Sequence, residues 1–283
     1  MSRTIVITGA SDGIGAAAAR KLHQDGHEVV VVGRSPQKTQ GVAREIGARH
    51  FIADFACLDD VRRLASDLDQ ACPRIDVLAN NAGGIFGDRA KTVDGFEKTF
   101  QVNHLAPFLL TRLLLEKLIA SRAAIVQTAS SAAWLGKLDL ADLDLDTKFG
   151  SMRAYCASKL ENVLFTRELH RRYHGQGIST AAFHPGVIAS NFANDTDSFI
   201  RIITQWGRVF LKSPEQGADQ LVWLSESAPG KDWISGSFYA KRKIFLRRHS
   251  QAHDDDLACK LWDRSEELLG RGSAASRGAL RPV

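Results

Sequence analysis

The amino-acid sequence predicts an α/β protein built on a doubly wound parallel sheet, and three observations carry that prediction. Short apolar or β-branched runs alternate with amphipathic stretches along nearly the whole chain. One of these runs, Glu28–Val32, contains four consecutive valines, the composition of a strand buried on both faces. Glycine-rich or polar clusters follow the runs, and sheets of this kind bind ligands at the carboxyl ends of their strands. A chain of 283 residues suffices for one such domain. With 44% hydrophobic and 24% charged residues, it is neither disordered, collagen-like nor a coiled coil.

In chain order, Thr4–Thr8 is the first strand and Ala16–Asp25 a helix with small residues beside the glycines. Glu28–Val32 is the second strand, Lys38–Ile46 a helix and His50–Ala53 a short strand. In Leu58–Gln70, residues Val61, Leu64, Ala65 and Leu68 share one helical face. Val77–Ala79 begins a strand that ends in Asn80-Asn81-Ala82-Gly83-Gly84. Phe96–Ile119 is a long helical stretch with a bend expected at Pro107. Ala124–Ala129 is a strand, Ala154–Tyr173 a helix, and Ile178–Phe183 a strand running into His184-Pro185-Gly186. We therefore expect one Rossmann-type domain over residues 1–270. Residues 271–283 are small, polar and basic and read as a disordered tail.

No apolar run approaches the roughly 18–20 residues of a membrane span. The first residues enter a strand without a signal-peptide pattern, so the chain reads as cytoplasmic. Cys57, Cys72, Cys156 and Cys259 form no CxxC pair, so reduced thiols are expected rather than a zinc site or a disulfide framework. The net charge of +5 is local: Lys241, Arg242, Lys243, Arg247 and Arg248 lie within eight residues. Beside Ile244-Phe245-Leu246, that run suits either peripheral contact with anionic lipid or a solvated strand and turn, and no nucleic-acid partner is expected.

The first strand runs into Thr8-Gly9-Ala10-Ser11-Asp12-Gly13-Ile14-Gly15 and then a helix. Glycines at 9, 13 and 15 let the backbone turn tightly and approach a pyrophosphate, which the helix N-terminus attracts. The spacing is G-x-x-x-G-x-G, and its position between strand and helix is what makes it informative. The second strand ends in Gly33-Arg34-Ser35, where an acidic residue accepts from the 2′-hydroxyl of NAD. Arg34 suits a 2′-phosphate instead, and Ser35 adds a hydrogen bond, so NADP is expected over NAD. Asp54, after the third strand, suits either the adenine amino group or a turn.

Two of the three tyrosines begin a Tyr-x-x-x-Lys pattern. Tyr155 and Lys159 open a helix, where residues four apart share a face. Tyr239 and Lys243 look strand-like, where four residues span about 13 Å, so that pair reads as incidental. A tyrosine acting as general acid and base needs a lowered pKa, and the Lys159 ammonium is the expected cause. Ser130 ends a strand and can hydrogen-bond a carbonyl oxygen, with adjacent Ser131 as its rival. The Asn103 amide can hold a water or a backbone group linking Lys159 to solvent.

Jointly, Gly9-x-x-x-Gly13-Ile14-Gly15, Asn80-Asn81-Ala82-Gly83, Asn103, Ser130, Tyr155-x-x-x-Lys159 and Pro185-Gly186 resemble the short-chain dehydrogenase/reductase family over about residues 3–270. Val102-Asn103-His104-Leu105, the stretch from Tyr155 to Phe165, Phe183-His184-Pro185-Gly186-Val187 and Leu261-Trp262-Asp263 resemble its retinol-dehydrogenase-like branch. The resemblance implies Tyr155 as proton donor and acceptor, Lys159 on the nicotinamide ribose, Ser130 orienting the carbonyl and Asn103 as relay. It implies Asn81, Ala82 and Gly83 along the adenosine ribose, and Val187 and Ser190 beside the nicotinamide. Ala106-Pro107 and Glu161 depart from the usual Gly-His and alanine.

Residues 194–214 resemble the family's substrate lid; Phe199, Ile202, Ile203, Trp206, Val209, Phe210 and Leu211 form an apolar face suited to a lipophilic alcohol or carbonyl, or to ordinary packing. Arg201, Arg208 and Lys212 suit an anionic membrane. Asp139, Asp142, Asp144 and Asp146 read as an exposed loop rather than a metal site. No metal is expected, and a homo-oligomer through the Tyr155 helix is. The alternative to an NADP-dependent oxidoreductase is a non-catalytic NADP-sensing protein on the same fold; such relatives usually lack the tyrosine or the lysine.

Overall fold

The computed structural model describes residues 2–186 and 213–278, with side chains described through Gly270. Among these residues eight strands form one sheet: β1 (Thr4–Thr8), β2 (Glu28–Gly33), β3 (Arg49–Ile52), β4 (Val77–Asn80), β5 (Ala124–Thr128), β6 (Ser179–His184), β7 (Ser237–Ala240) and β8 (Lys243–Ile244). Their order is β3-β2-β1-β4-β5-β6-β7-β8, parallel except for β8. The order reverses direction at β1, the switch point where such sheets bind ligands. The mixed α/β class and Rossmann-type sheet expected from the alternation are both present.

Strand periodicity divides the core. Ile5, Ile7, Val29 and Val31 point to one face of the sheet, and Val6, Val30 and Val32 to the other. The first face is covered by α1 (Gly13–Gln24), α2 (Pro36–Glu45) and α8 (Pro214–Glu226). The second is covered by α3 (Leu58–Ala71), by the segment 98–120 and by α7 (Ser151–Tyr173). The last helix, α9 (Asp255–Gly278), packs on α7 through Trp262, whose ring lies 5.8 Å from Phe165 and 4.8 Å from Phe108. Its backbone runs into the segment read as a tail.

The expected long helix over Phe96–Ile119 is broken, and not by a bend at Pro107. It consists of α4 (Lys98–Phe100), a π turn (Gln101–Leu105), α5 (Ala106–Leu113) and α6 (Leu115–Ala120). Pro107 is the second residue of α5, directly after the π turn, and the backbone stays helical through Leu105 and Ala106. The π turn carries Asn103 and His104 inward. His104 is buried among Phe100, Phe108 and Phe165, and burial pushes it down to about 3, so the ring is neutral. Its Nε2 lies 3.0 Å from Ser265 Oγ of α9, a hydrogen bond within the core rather than a metal contact.

The second Tyr-x-x-x-Lys pattern is incidental, though not for the reason the sequence suggests. A two-residue turn folds β8 back on β7, so Tyr239 pairs with Ile244. Lys241 and Arg242 form that turn with φ of 53° and 58°, the left-handed pair a tight hairpin requires. The Arg242 guanidinium is held by Asp219 (Nε–Oδ2 3.0 Å), and the Tyr239 hydroxyl accepts from Ile234 N at 2.7 Å.

Glu161 lies buried on α7, and its Oε2 has no hydrogen-bond partner among the described residues. Burial pushes its pKa well above the ordinary 4.5, with Glu97 and Asp144 adding to the effect. The folded state therefore keeps a proton that the unfolded chain releases. The stability this confers is fully present below 4.5 and is lost as pH rises towards the raised folded value. Wild type should lose about 1.4 kcal/mol per pH unit in that window relative to Glu161→Gln. Denaturant unfolding of both proteins across pH checks this; parallel pH curves would refute it.

Candidate active site

β1 leads into the glycine turn, and α1 starts at Gly13 with Asp12 as its N-cap, accepting from Gly13 N at 2.8 Å. Gly15 must lack a side chain: a Cβ there would stand 2.4 Å from the Gly9 carbonyl oxygen. The turn thus folds onto the first residues of the helix and leaves backbone N–H groups facing the cleft, an anion cradle. Asp12 also pairs with Lys38 Nζ at 2.8 Å.

Beyond β2, the exposed Arg34 lines the cleft, and Ser35 caps α2 through a 3.5 Å contact from Lys38 N. No carboxylate occupies the end of β2. Asp54 lines the cleft, and its Oδ1 accepts from Ala56 N at 2.9 Å, so the carboxylate builds a turn as well as facing the cavity.

A chain of hydrogen bonds crosses the ends of β1, β4 and β5. Thr8 Oγ1 accepts from Asn81 N and Ala82 N, both at 3.0 Å. Asn81 Nδ2 donates to Thr8 O at 3.0 Å, and Thr128 Oγ1 donates to Asn81 Oδ1 at 3.1 Å. Lys159 Nζ then donates to Thr128 O at 2.9 Å. Lys159 is only 2% exposed. Its ammonium lies over the Tyr155 ring, 5.5 Å from the centroid, and burial pushes its pKa down to about 7.

The expected lowering of Tyr155 by Lys159 is not what this arrangement produces. Burial pushes the Tyr155 hydroxyl up to about 12, and the opposing influence is a hydrogen bond from Ser130. The lysine sits over the ring face, and burial weakens its own charge. At neutral pH the phenol therefore holds its proton and can donate it. Ser130, not Ser131, meets Tyr155, and its Oγ also accepts from Ala132 N at 3.1 Å. Ser131 turns its N–H to His184 Nδ1 at 3.2 Å.

Asn103 holds a backbone group, one of its two expected uses. Its Nδ2 donates to Gly84 O and Ser158 Oγ, both at 2.9 Å, and its Oδ1 accepts from Gly84 N at 2.9 Å. The amide thus clamps Gly84, beside the cleft.

One cavity of about 830 Å³ gathers nearly every residue singled out from the sequence. It is lined by Gly9, Ser11 to Gly15, Arg34, Ser35, Asp54, Asn81 to Gly83, Ser130, Tyr155, Lys159, Pro185 and Gly186. Asn103 stands behind the lining. Val187, Ser190 and the apolar face at 199–211 lie outside the described residues. Lys38 and Thr128 line the cavity and were not anticipated. Pro36, which fixes the first turn of α2, was the available signal for Lys38; nothing local marked Thr128.

The four aspartates after β5 lie in a loop tied partly to itself and partly to the segment 89–97. Asp142 accepts from Asp146 N and Thr147 N, and Asp144 accepts from Glu97 N at 2.7 Å. No cluster that could hold a metal ion occurs among the described residues, and no described helix is long and apolar enough to cross a membrane.

Residues 3–200 match the family model for short chain dehydrogenases. A protein of Streptomyces sp. (strain C5), provisionally named a daunorubicin C-13 ketoreductase (DnrU), is 40% identical over 95% of this chain and 93% of its own length. Human retinol dehydrogenase 13 is 36% identical over 95% of this chain and 86% of its own. A short chain dehydrogenase from Burkholderia cenocepacia J2315, solved in complex with NADP, superposes with a TM-score of 0.66 at 25% identity, covering 84% of this chain and 94% of that one.

A Cβ at Gly83 would stand 2.9 Å from Asn103 Oδ1 and 3.6 Å from Lys159 Nζ. Gly83→Ala should disrupt the Asn103 clamp and cost about 1–3 kcal/mol of stability, measured by denaturant unfolding. Unchanged stability would show that the loop yields freely.

Proposed function

The chain belongs to the short-chain dehydrogenase/reductase family, in its retinol-dehydrogenase-like branch, and from that premise we propose an NADP-dependent oxidoreductase that interconverts a lipophilic alcohol and its aldehyde or ketone. The observation that carries the chemistry is the Ser130–Tyr155 hydrogen bond, beside Lys159, in the cleft that begins at the glycine turn.

The residues at the cofactor end fit NADP. The turn offers backbone N–H groups to a pyrophosphate, and Arg34 offers a guanidinium to a 2′-phosphate, with Lys38 one helical turn away. No acidic residue directly follows β2 in the chain, and the nearby Asp12 carboxylate is paired with Lys38. Bound there, the nicotinamide supplies or accepts the hydride. In the reductive direction Tyr155 gives its proton to the carbonyl oxygen, and Ser130 donates a hydrogen bond to the same oxygen as charge develops. Lys159, anchored on Thr128 O with its ammonium over the Tyr155 ring, would hold the ribose of the cofactor. Asn103 acts as a positioning residue through Gly84.

The four free cysteines accord with a reducing, cytoplasmic setting. A homo-oligomer through the Tyr155 helix remains part of this reading.

Fluorescence titration should show NADPH binding about tenfold or more tighter than NADH, with the difference lost in Arg34→Ala. Equal affinities in wild type would return the cofactor to NAD. Tyr155→Phe should lower kcat by about 10²–10⁴-fold while leaving NADPH affinity nearly constant. Retained turnover would remove Tyr155 from the mechanism.

A further inference from the structure

Arg247 lines the same cavity as Ser130 and Tyr155 but lies on the opposite side of them from the nucleotide site. Arg34 follows β2, three strand positions from β5, an offset of about 14 Å. Arg247 instead lies against the turn that follows β5, reached by the chain returning from β8. The phosphates of a nucleotide held at the glycine turn and Arg34 thus fall on the far side of Ser130 from Arg247.

Arg247 is firmly placed. Its carbonyl accepts from Trp134 Nε1 at 2.7 Å, and Trp134 is packed between Phe238 and Phe245, with ring centroids at 4.6 and 4.8 Å. The next residues are stitched to the turn that follows Ser130: His249 Nε2 meets Gly136 O at 3.1 Å, and Gln251 exchanges two hydrogen bonds with the Leu138 backbone. Arg247 is exposed and lines the wall that Ser130 begins. Among the described residues Ala132, Leu135 (72% exposed) and Met152 (39% exposed) make that wall largely apolar, with Ser131 and His184 also lining the cavity and Lys98 held over the Phe86 ring. The described carboxylates of the cleft, Asp12 and Asp54, both stand at the nucleotide end. Arg247 makes no ion pair among the described residues.

An apolar wall that ends in a cation suits a substrate of matching polarity. We infer that the substrate carries a carboxylate at the end of an apolar body, away from its reacting carbonyl or alcohol, and that Arg247 binds it. The planar guanidinium matches a carboxylate through two parallel hydrogen bonds. This inference rests on the oxidoreductase reading above and narrows its substrate class to lipophilic oxo- or hydroxy-acids.

The test compares a homologous series of ω-oxo carboxylates with their methyl esters, using wild type, Arg247→Gln and Arg247→Lys and the preferred nicotinamide cofactor. The expected result is an acid-over-ester preference of about tenfold in kcat/KM, carried mainly by KM. That ratio falls towards unity in Arg247→Gln, is partly restored in Arg247→Lys, and shrinks with added salt. A wild-type ratio near unity, or a preference that survives Arg247→Gln, overturns the inference. If neither acid nor ester is turned over, thermal shift with the matching saturated carboxylates and esters decides it. Selective carboxylate binding that is lost in Arg247→Gln upholds the anion site while the oxidoreductase reading fails; absence of selectivity overturns the site itself.

Discussion

The cleft depends on one line of hydrogen bonds across the carboxyl ends of β1, β4 and β5. Thr8, Asn81 and Thr128 satisfy one another's side chains and loop amides there, and the Thr128 carbonyl is left to receive Lys159. Backbone groups at strand ends have no ladder partner, and buried ones must find another. Here the partners are the residues that shape the site. The glycine turn, the Asn81 loop and Lys159 are consequently fixed to one frame, and a shift in any of them strains the others.

Burial sets the electrostatics within that frame. Tyr155 and Lys159 are both pushed towards their neutral forms, to about 12 and about 7. A neutral phenol held by Ser130 is ready to give a proton, whereas the reverse reaction must make a phenolate in a desolvated place.

Much of this was legible from the sequence because it rests on local chemistry. Valines at 29–32 announce a strand buried twice over, and the helical spacing of Tyr155 and Lys159 distinguishes them from Tyr239 and Lys243. What was not legible depends on contacts between distant segments. The π turn at Gln101–Leu105 looks like ordinary helix in sequence, and its inward turn is held by Gly84 and by Ser265, 161 residues beyond His104. The direction of the Tyr155 shift needed its depth of burial, which residue spacing does not carry. Thr128 has no motif of its own; its place in the site comes from pairing with Asn81 across the sheet.

The two-residue strand β8 has a consequence at the scale of many molecules. An open sheet edge presents unpaired amides and carbonyls on which another chain can grow. Here the exposed edge is only Lys243 and Ile244, next to a turn whose two left-handed cations prevent the strand from extending. The opposite edge, β3, exposes Arg49 and His50. Charged side chains, some of them already paired within the chain, therefore line the edges where copies would otherwise zip together.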